Sequence, residues 1–146
     1  MAPRAAPAKL HIAFDPDPSP AARATVERGV DQHNVGITNL PDYYPLAFLL
    51  RDAAGEVLGG VLGRTSLGLL FIDLVYLPDD LRGGGLGSRI LQAAEDEGRR
   101  RGCRAAVLYT ISFQAPGFYT RRGWRVFGEI PCDPPGTSRI FMTKTL

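Results

Sequence analysis

The sequence predicts a mixed α/β fold with a mostly antiparallel sheet of about six to seven strands, a central parallel strand–helix–strand unit and flanking helices. Two observations lead to this prediction. Apolar runs of strand length recur along the chain, and most neighbouring runs are separated only by short glycine-containing turns, as in antiparallel hairpins. One pair of runs is instead joined by an amphipathic helix, which is the connection that parallel strands require.

Nearly the whole chain is expected to form one domain, residues 9–146, preceded by a flexible tail over residues 1–8 that is rich in proline and alanine. Residues 9–14 alternate apolar and polar side chains, which is typical of a half-buried strand. Ser19 before Pro20 is typical of a helix start, with an N-cap followed by proline at the first helical position. We expect this helix to end at Gly36.

The remaining elements follow in a regular order. After a loop or short helix over residues 39–44, we expect a meander of three strands, a long helix, a strand, a short helix and two last strands. These segments are, in order, residues 45–51, 56–64, 69–77, the helix between Gly85 and Gly102, and residues 103–111, 114–122, 124–130 and 138–146. Residues 69–77 are the most apolar run and are expected to be central. In the long helix, Leu91 and Ala94 are expected to face inward and Glu95 outward.

Length and composition fit one globular domain and exclude several classes of function. The chain has 146 residues, of which 45% are hydrophobic and 22% charged, and a net charge of +2 is too small to favour nucleic acid as a partner. Two cysteines and two histidines supply too few ligands for a structural zinc site, so no metal is predicted. No run has the length of a membrane span, and no signal peptide is recognised, so we expect a cytoplasmic protein that contacts no membrane.

The segment between the most apolar strand and the long helix is the most informative part of the sequence. Four of the five residues after Arg82 are glycines, which leave backbone N–H groups uncovered. The first turn of the following helix adds unpaired N–H donors and a partial positive charge. A strand, a glycine turn and a helix N-terminus together indicate a phosphate or diphosphate site. The alternative is a tight turn that binds no ligand.

The spacing of the glycines distinguishes between phosphate-binding motifs. A P-loop requires lysine after its last glycine, whereas Gly87 is followed by serine. A dinucleotide-binding fingerprint requires a third glycine at position 90, which is isoleucine. Arg82, Gly85 and Gly87 do fit the pattern Arg/Gln-x-x-Gly-x-Gly. That pattern resembles the acetyl-coenzyme A signature of the GNAT superfamily of N-acetyltransferases.

A second motif follows at the spacing of the same superfamily. Ser112-x-x-Ala115-x-x-x-Tyr119-x-x-x-Gly123-Trp124 is similar to the superfamily's Asn-x-x-Ala-x-x-x-Tyr-x-x-x-Gly-Phe, with serine in place of the common asparagine. The two motifs together are far more specific than either alone. The resemblance extends over residues 9–146 and implies the GNAT fold.

The resemblance implies acetyl-CoA as the cofactor and assigns residues to it. In such enzymes the strand before the glycine turn carries a bulge and parts from its parallel neighbour, and the gap admits the cofactor. The backbone of Val75, Tyr76 and Leu77 would run beside the pantetheine arm like an added strand, with one N–H polarising the thioester carbonyl. The diphosphate would be held by the backbone of Gly83, Gly84, Gly85, Leu86, Gly87 and Ser88. Arg82 would add charge near a phosphate, or be a solvated turn residue. Ser112 would bond the pantetheine arm or a water molecule.

Tyr119 and Asp73 are the candidate catalytic residues. By resemblance, Tyr119 is the general acid that protonates the departing thiolate of coenzyme A, and the alternative is a tyrosine that only packs its helix onto the sheet. The acceptor amine is mostly protonated at neutral pH, so a base is also required. Asp73 lies in an otherwise apolar strand, where a buried carboxylate without a partner is costly. It is our candidate base, and a structural pair with an arginine is the alternative.

The acceptor pocket of this fold is framed by the first helix, the loop after it and the last hairpin. His33, Asp42, Tyr44 and Glu129 come from these segments. Acidic and aromatic side chains together suit a cationic amine such as an amino sugar, a polyamine or a small peptide amine. Each of them is equally consistent with an exposed polar loop.

We therefore expect an acetyl-CoA-dependent N-acetyltransferase that acts on a primary amine of a small molecule, such as an amino sugar or an aminoglycoside-like antibiotic, by direct attack in a ternary complex. Neither cysteine lies in the two motifs, so an acetyl-cysteine route is not indicated. The alternatives are acetylation of a protein or peptide amine, and a non-catalytic acyl-CoA sensor. A homodimer is compatible with the resemblance, because many such proteins pair through their last strands.

Overall fold

The expected fold class is confirmed by the structure, a computed structural model that describes residue 3 and residues 9–146. The described residues form a six-stranded mixed sheet, in the order β1-β2-β3-β4-β6-β5, and three α-helices. The chain divides into two compact units, Met1–Asn39 and Leu40–Leu146. Most of the predicted tail lies outside the described residues.

The first unit contains helix α1 (Pro20–Thr38), which begins where the sequence predicts. The Ser19 side chain accepts a hydrogen bond from the Ala22 N–H at 3.1 Å, and proline occupies the first turn. The predicted end at Gly36 is wrong by two residues, because glycine weakens a helix by only about 1 kcal/mol and keeps its N–H. Asn39, in the left-handed conformation, ends the helix.

The strand expected at residues 9–14 is also wrong, since these residues form neither helix nor strand. Alternation of apolar and polar residues is compatible with a strand that has one apolar face. Such a segment becomes a strand only where a neighbouring strand supplies backbone hydrogen bonds and an apolar surface packs against that face.

The second unit contains the sheet and the other two helices in the predicted order. The strands are β1 (Tyr43–Arg51), β2 (Val57–Ser66), β3 (Leu69–Tyr76), β4 (Ala105–Ile111), β5 (Arg125–Cys132) and β6 (Thr137–Thr145), and the helices are α2 (Leu86–Arg100) and α3 (Pro116–Thr120). β1 starts two residues earlier than predicted, within the segment expected to be a loop or short helix. No helix in the described part of the chain is long and apolar enough to span a membrane.

The two parallel strands pair over a short stretch and then part. β3 and β4 are paired only from Leu69–Ala105 to Phe71–Val107, although β3 continues to Tyr76 and β4 to Ile111. Beyond the last pair, the backbone of β3 therefore has no neighbouring strand on the β4 side among residues 9–146. This separation opens the sheet at the end where the chain turns into α2.

A β-bulge in β3 coincides with the separation. In the ladder with β2, Leu62 is paired with Leu74 and Gly63 with Ile72, so Asp73 is an extra residue. An extra residue reverses the alternation of the strand. As a result Val75 packs against the core whereas Leu74 is exposed.

The core of this unit lies between α2 and one face of the sheet. Its fully buried apolar side chains are Val61, Leu70, Leu91, Ala94, Ala106 and Met142. The inward positions of Leu91 and Ala94 are confirmed, but the outward position of Glu95 is wrong, since its side chain is only 1% exposed. Lys144 of β6 reaches the Glu95 carboxylate at 2.6 Å, which explains how a charge is accommodated there.

Candidate active site

A cleft of about 670 Å³ opens where β3 and β4 part. Its walls are the end of β3, the glycine turn, the end of β4 and the segment that contains α3. The lining residues are Val75, Tyr76, Leu77, Arg82, Gly83, Gly85, Gly87, Ser88, Thr110, Phe113, Gln114, Ala115, Phe118, Tyr119, Arg121 and Arg122. The structure therefore brings the two sequence motifs together at one cleft.

The glycine turn leaves a group of backbone donors without acceptors. Gly83 and Gly85 have φ angles of 84° and 83°, a conformation that is strained for other residues. The N–H groups of residues 83–88 donate to no acceptor among the described residues, and Arg89 is the first to donate within the helix, to the Gly85 carbonyl at 3.1 Å. Free amides at the N-terminus of a 15-residue helix suit an anionic group such as a diphosphate.

Arg82 closes the turn as well as lining the cleft. Its Nε donates to the Leu77 carbonyl at 3.0 Å, and its Nη1 lies 3.2 Å from the Asp79 carboxylate. Both contacts hold the start of the turn against the end of β3. The remaining donors of this exposed guanidinium are free to face a phosphate.

The end of β3 offers an unpaired backbone edge. Val75 and Tyr76 are paired with Val61 and Gly60 of β2 on one side, and no strand in the described part of the chain lies beside them on the other. An extended ligand with amide groups can add to such an edge as a further strand does.

Tyr119 lies in α3, and its ring is fixed by two neighbouring aromatic rings. The ring centroid is 5.1 Å from that of Phe118 and 6.1 Å from that of Trp124, both in edge-to-face geometry. Trp124 is only 3% exposed and anchors the pair to the core. Burial raises the pKa of Tyr119 above that of an ordinary tyrosine, so its hydroxyl carries its proton throughout the neutral range.

Residues 10–124 match the model of the acetyltransferase (GNAT) family. The chain belongs to the GNAT acetyltransferase family. The predicted family is thus confirmed, and this GNAT acetyltransferase is an acetyl-CoA-dependent N-acetyltransferase, as predicted.

Several known proteins are similar to this acetyltransferase. Blasticidin-S acetyltransferase of Streptomyces morookaense is 41% identical over 93 residues, which cover 63% of this chain and 68% of the relative. The L-methionine sulfoximine/L-methionine sulfone acetyltransferase of Pseudomonas aeruginosa is 34% identical over 101 residues, covering 60% of this chain and 55% of that one. A solved structure from Agrobacterium tumefaciens, assigned as an acetyltransferase, matches with a TM-score of 0.85 and 26% identity over 94% of this chain and 100% of its own.

The cleft of this GNAT acetyltransferase fits its cofactor at two places. The free amides of residues 83–88 would hold the diphosphate, and the unpaired edge of Val75, Tyr76 and Leu77 would hold the pantetheine arm. When bound, acetyl-CoA supplies an acetyl group activated as a thioester. Gly84 and Leu86 belong to the turn, although they do not line the cleft.

Ser112, the predicted contact of the pantetheine arm, does not line the cleft. Its Oγ accepts from the Ser138 N–H at 3.0 Å and its own N–H donates to the Ser138 carbonyl at 2.9 Å. The Ser138 hydroxyl in turn donates to Glu129 at 2.6 Å. Ser112 and Glu129 therefore belong to one network that joins the ends of β4, β5 and β6.

Asp73 is neither buried nor unpaired, so the premise for choosing it as the base is wrong. The side chain is 47% exposed, and Arg64 Nη1 donates to its carboxylate at 2.6 Å. The Arg64 guanidinium also lies over the Phe71 ring, 4.5 Å from its centroid. The structural pair with an arginine, our alternative, is formed, and Asp73 does not line the cleft.

The residues predicted to bind the acceptor lie in separate segments. Asp42 precedes β1, and Tyr44 lies in β1 with its hydroxyl donating to the Pro41 carbonyl at 3.1 Å. His33 is an exposed residue of α1, in the first unit. Their role in acceptor binding stays a prediction.

Sequence reasoning missed several residues of the cleft. Thr110 donates to the Gln114 side chain at 3.0 Å, which also accepts from the Ile111 N–H at 3.2 Å, and so shapes the loop before α3. Phe118 and Arg122 lie beside Tyr119 within the second motif, whose spacing marks the segment but not the variable positions that face inward.

Proposed function

We propose that this enzyme acetylates a primary amine of a small molecule. The observation that carries the proposal is the 41% identity with blasticidin-S acetyltransferase, whose name specifies a small-molecule substrate. The relative named for L-methionine sulfoximine and L-methionine sulfone also supports this substrate class. Amino sugars and aminoglycoside-like antibiotics belong to the same class, and we include them among the candidate acceptors.

We infer direct attack of the amine in a ternary complex. The neutral amine nitrogen forms a bond to the acetyl carbon, the carbon–sulfur bond breaks, and the sulfur receives a proton. Tyr119 supplies that proton, because its half-buried side chain lines the cleft and its raised pKa keeps the hydroxyl protonated. The nitrogen loses one proton to solvent as the amide forms, and solvent returns a proton to the general acid.

The positions of the two cysteines support a route without an acetylated enzyme. Cys103 is buried, and burial raises the pKa of its thiol, which disfavours the nucleophilic thiolate. Cys132 lies in β5, where its sulfur is 3.4 Å from the Thr137 hydroxyl. Neither residue lines the cleft.

Glu129 is our favoured side chain for orienting a cationic acceptor. It is exposed on β5, and one carboxylate oxygen is held by the Ser138 hydroxyl, which leaves the other oxygen available. We retain Asp42, Tyr44 and His33 as further acceptor contacts, whereas Asp73, paired with Arg64 outside the cleft, is no longer our candidate base.

The test is release of free thiol from acetyl-CoA over a panel of amines. The panel contains blasticidin S, L-methionine sulfoximine, an aminoglycoside, a polyamine and a lysine-containing peptide, with products identified by mass. We expect turnover with a small-molecule amine. Turnover with the peptide alone would favour a protein acetyltransferase, and tight CoA binding without any turnover would favour a sensor.

A matched pair of variants tests the catalytic role of Tyr119. Tyr119→Phe should lower kcat by about 10²- to 10⁴-fold, the usual contribution of a general acid, while CoA affinity is retained. Tyr109→Phe is the control, because Tyr109 is an exposed tyrosine of β4 outside the cleft. Equal turnover of the two variants would remove Tyr119 from the mechanism.

We also propose that the protein acts in the cytoplasm as a homodimer that pairs through its last strands. Light scattering at several protein concentrations tests this proposal, because a dimer should have twice the chain mass of 15.8 kDa.

A further inference from the structure

Arg122 connects the short helix that carries Tyr119 to the start of α2. Its Nε donates to the Ser88 hydroxyl at 2.8 Å, and its Nη1 donates to the Phe118 carbonyl at 2.7 Å. The guanidinium stacks on the Phe118 ring, with its central carbon 3.8 Å from the ring centroid. These contacts fix the half-buried side chain in one orientation at the wall of the cleft.

No carboxylate neutralises Arg122 within the described part of the chain. By contrast, Arg99, Arg100 and Arg101, at the C-terminal end of α2 and its cap, are ion-paired with Glu95, Asp96 and Glu97. Arg122 instead faces a hydroxyl, a carbonyl and a ring. Its positive charge therefore remains available beside the free amides of the glycine turn.

The bond to Ser88 determines what the Ser88 hydroxyl can do. A hydroxyl has one hydrogen to donate and two acceptor positions. Because Arg122 donates to the oxygen, the Ser88 hydrogen is left for another acceptor. Ser88 is the third residue of α2 and lines the cleft, and its backbone N–H is one of the free amides.

The contact between α3 and the glycine turn is close. A Cβ at Gly87 would lie 3.3 Å from carbons of the Phe118 ring, so a larger residue there would displace the ring by a few tenths of an ångström. Phe118 in turn packs its edge against Tyr119. Arg122, which contacts the Ser88 hydroxyl, therefore also contacts α3, the helix that carries the predicted general acid Tyr119.

We propose that Arg122 is a positioning residue for the cofactor: it holds the Ser88 hydroxyl so that its hydrogen points to the diphosphate, and it adds an uncompensated positive charge to the cradle. The proposal rests on the cofactor of the family and is independent of which amine is acetylated. Charge-assisted hydrogen bonds are about twice as strong as neutral ones, which is why loss of Arg122 should be measurable in cofactor affinity.

The experiment measures CoA binding by calorimetry, without any acceptor. Ser88→Ala and Arg122→Met should each weaken CoA binding by about tenfold to a hundredfold, the range for a hydrogen bond that involves a charged group. The double variant should bind no more than a few-fold more weakly than Arg122→Met, because Arg122 acts largely through Ser88. Arg122→Lys, which keeps the charge, should lose less affinity than Arg122→Met.

Two controls separate this role from a structural one. Pantetheine, which lacks the diphosphate, should bind all variants equally by ligand-observed NMR. Arg125→Met removes an exposed arginine of β5 that lies outside the cleft, and should leave CoA affinity unchanged. If Arg122→Met fails to fold, the CoA affinities of Arg122→Lys and Ser88→Ala still test the proposal. Ser88→Ala should weaken CoA binding by about tenfold to a hundredfold, and unchanged CoA affinity in both variants would overturn the proposal.

Three results would overturn the proposal. They are an unchanged CoA affinity in Arg122→Met, a proportional loss of pantetheine affinity, and losses that multiply in the double variant. Since no acceptor is present, an enzyme that binds CoA as expected but acetylates no small-molecule amine would contradict the proposed function alone.

Discussion

At the scale of single residues, the state of Tyr119 is set by its surroundings. Its ring packs against two aromatic rings at the wall of the cleft, and the partial burial of the side chain disfavours the charged phenolate and so raises the pKa of Tyr119. The raised pKa means that the protonated form persists above pH 10, where an ordinary tyrosine ionises. The residue is thus suited to donate a proton throughout the neutral range.

This gives a prediction for the pH dependence of the reaction. With Tyr119 as the acid, kcat should rise with pH as the bound amine and its base lose protons, and should not fall again until the pH exceeds 10. A pH–rate profile at saturating acetyl-CoA measures this. A decline that begins near pH 8 would assign the acid to another group.

Asp73 carries the second prediction at this scale. Because its carboxylate is half exposed, bonded to Arg64 and outside the cleft, Asp73→Asn should lower the free energy of unfolding by about 1 kcal/mol or less, as for other exposed ion pairs. Acetylation should change by no more than about threefold, within the effect of such a small perturbation. Urea denaturation and kcat provide the two measurements, and a hundredfold loss of kcat would instead establish Asp73 as the base.

At the scale of elements, the cradle depends on the backbone conformation of the glycine turn. Gly84 and Gly85 both have open space where a Cβ would stand, but only Gly85 has a positive φ. Gly85→Ala should therefore lower the free energy of unfolding by about 1 to 2 kcal/mol through backbone strain alone. If the turn relaxes to relieve the strain, CoA affinity should fall by about tenfold, the equivalent of that energy.

Gly84→Ala is the matched control for this prediction. It adds the same methyl group next to the same turn without a positive φ, and should leave stability equal or raise it by up to about 1 kcal/mol. Thermal melts of both variants with and without CoA make the comparison. The same loss in both variants would show that crowding of the turn, not strain, is responsible.

The elements also show which features of the site can be predicted from the sequence. The glycine turn and the Tyr119 segment were predictable because each lies within about a dozen consecutive residues, where spacing is visible. The parting of β3 and β4, which makes the cleft, was expected only from the family resemblance, because its position after Phe71–Val107 depends on register between strands far apart in the chain. Ser112 shows the same limit, since its partner Ser138 is 26 residues away.

At the scale of the whole molecule, the predicted order of elements from β1 onward is confirmed, whereas the exposure predicted for Glu95 is wrong. Helical spacing places Glu95 four residues after the buried Leu91 and so on the same face, but its charge and its sequence neighbours Asp96 and Glu97 suggested exposure. Lys144, which forms an ion pair with Glu95, lies on β6 near the end of the sequence, so no local sequence pattern predicts that contact. The error for Asp73 is the reverse, since its apolar sequence neighbours suggested burial. The side chain is instead half exposed, because Asp73 is the extra residue of the β3 bulge and pairs with Arg64.

The Glu95–Lys144 pair ties α2 to the last strand of the sheet, and its removal should affect the stability of the whole second unit. The Lys144 nitrogen lies 2.6 Å from Glu95 Oε1 but is not aligned as a hydrogen bond, so the attraction is that of two close charges. Lys144→Met would leave a buried carboxylate whose nearest remaining cation is Arg99 at 3.7 Å. We expect a loss of about 3 to 5 kcal/mol in the free energy of unfolding, the usual cost of breaking a buried pair.

The double variant Glu95→Leu/Lys144→Met should recover most of that loss, because replacing both charges by apolar side chains leaves nothing unpaired. Arg99→Met is the control, since this arginine is 40% exposed and should contribute about 1 kcal/mol or less. Urea denaturation followed by tryptophan fluorescence reports all three, because Trp124, the single tryptophan, is buried in the same unit. If Lys144→Met and Arg99→Met prove equally mild, the Glu95 carboxylate is solvated and the buried pair does not hold the strand to the helix.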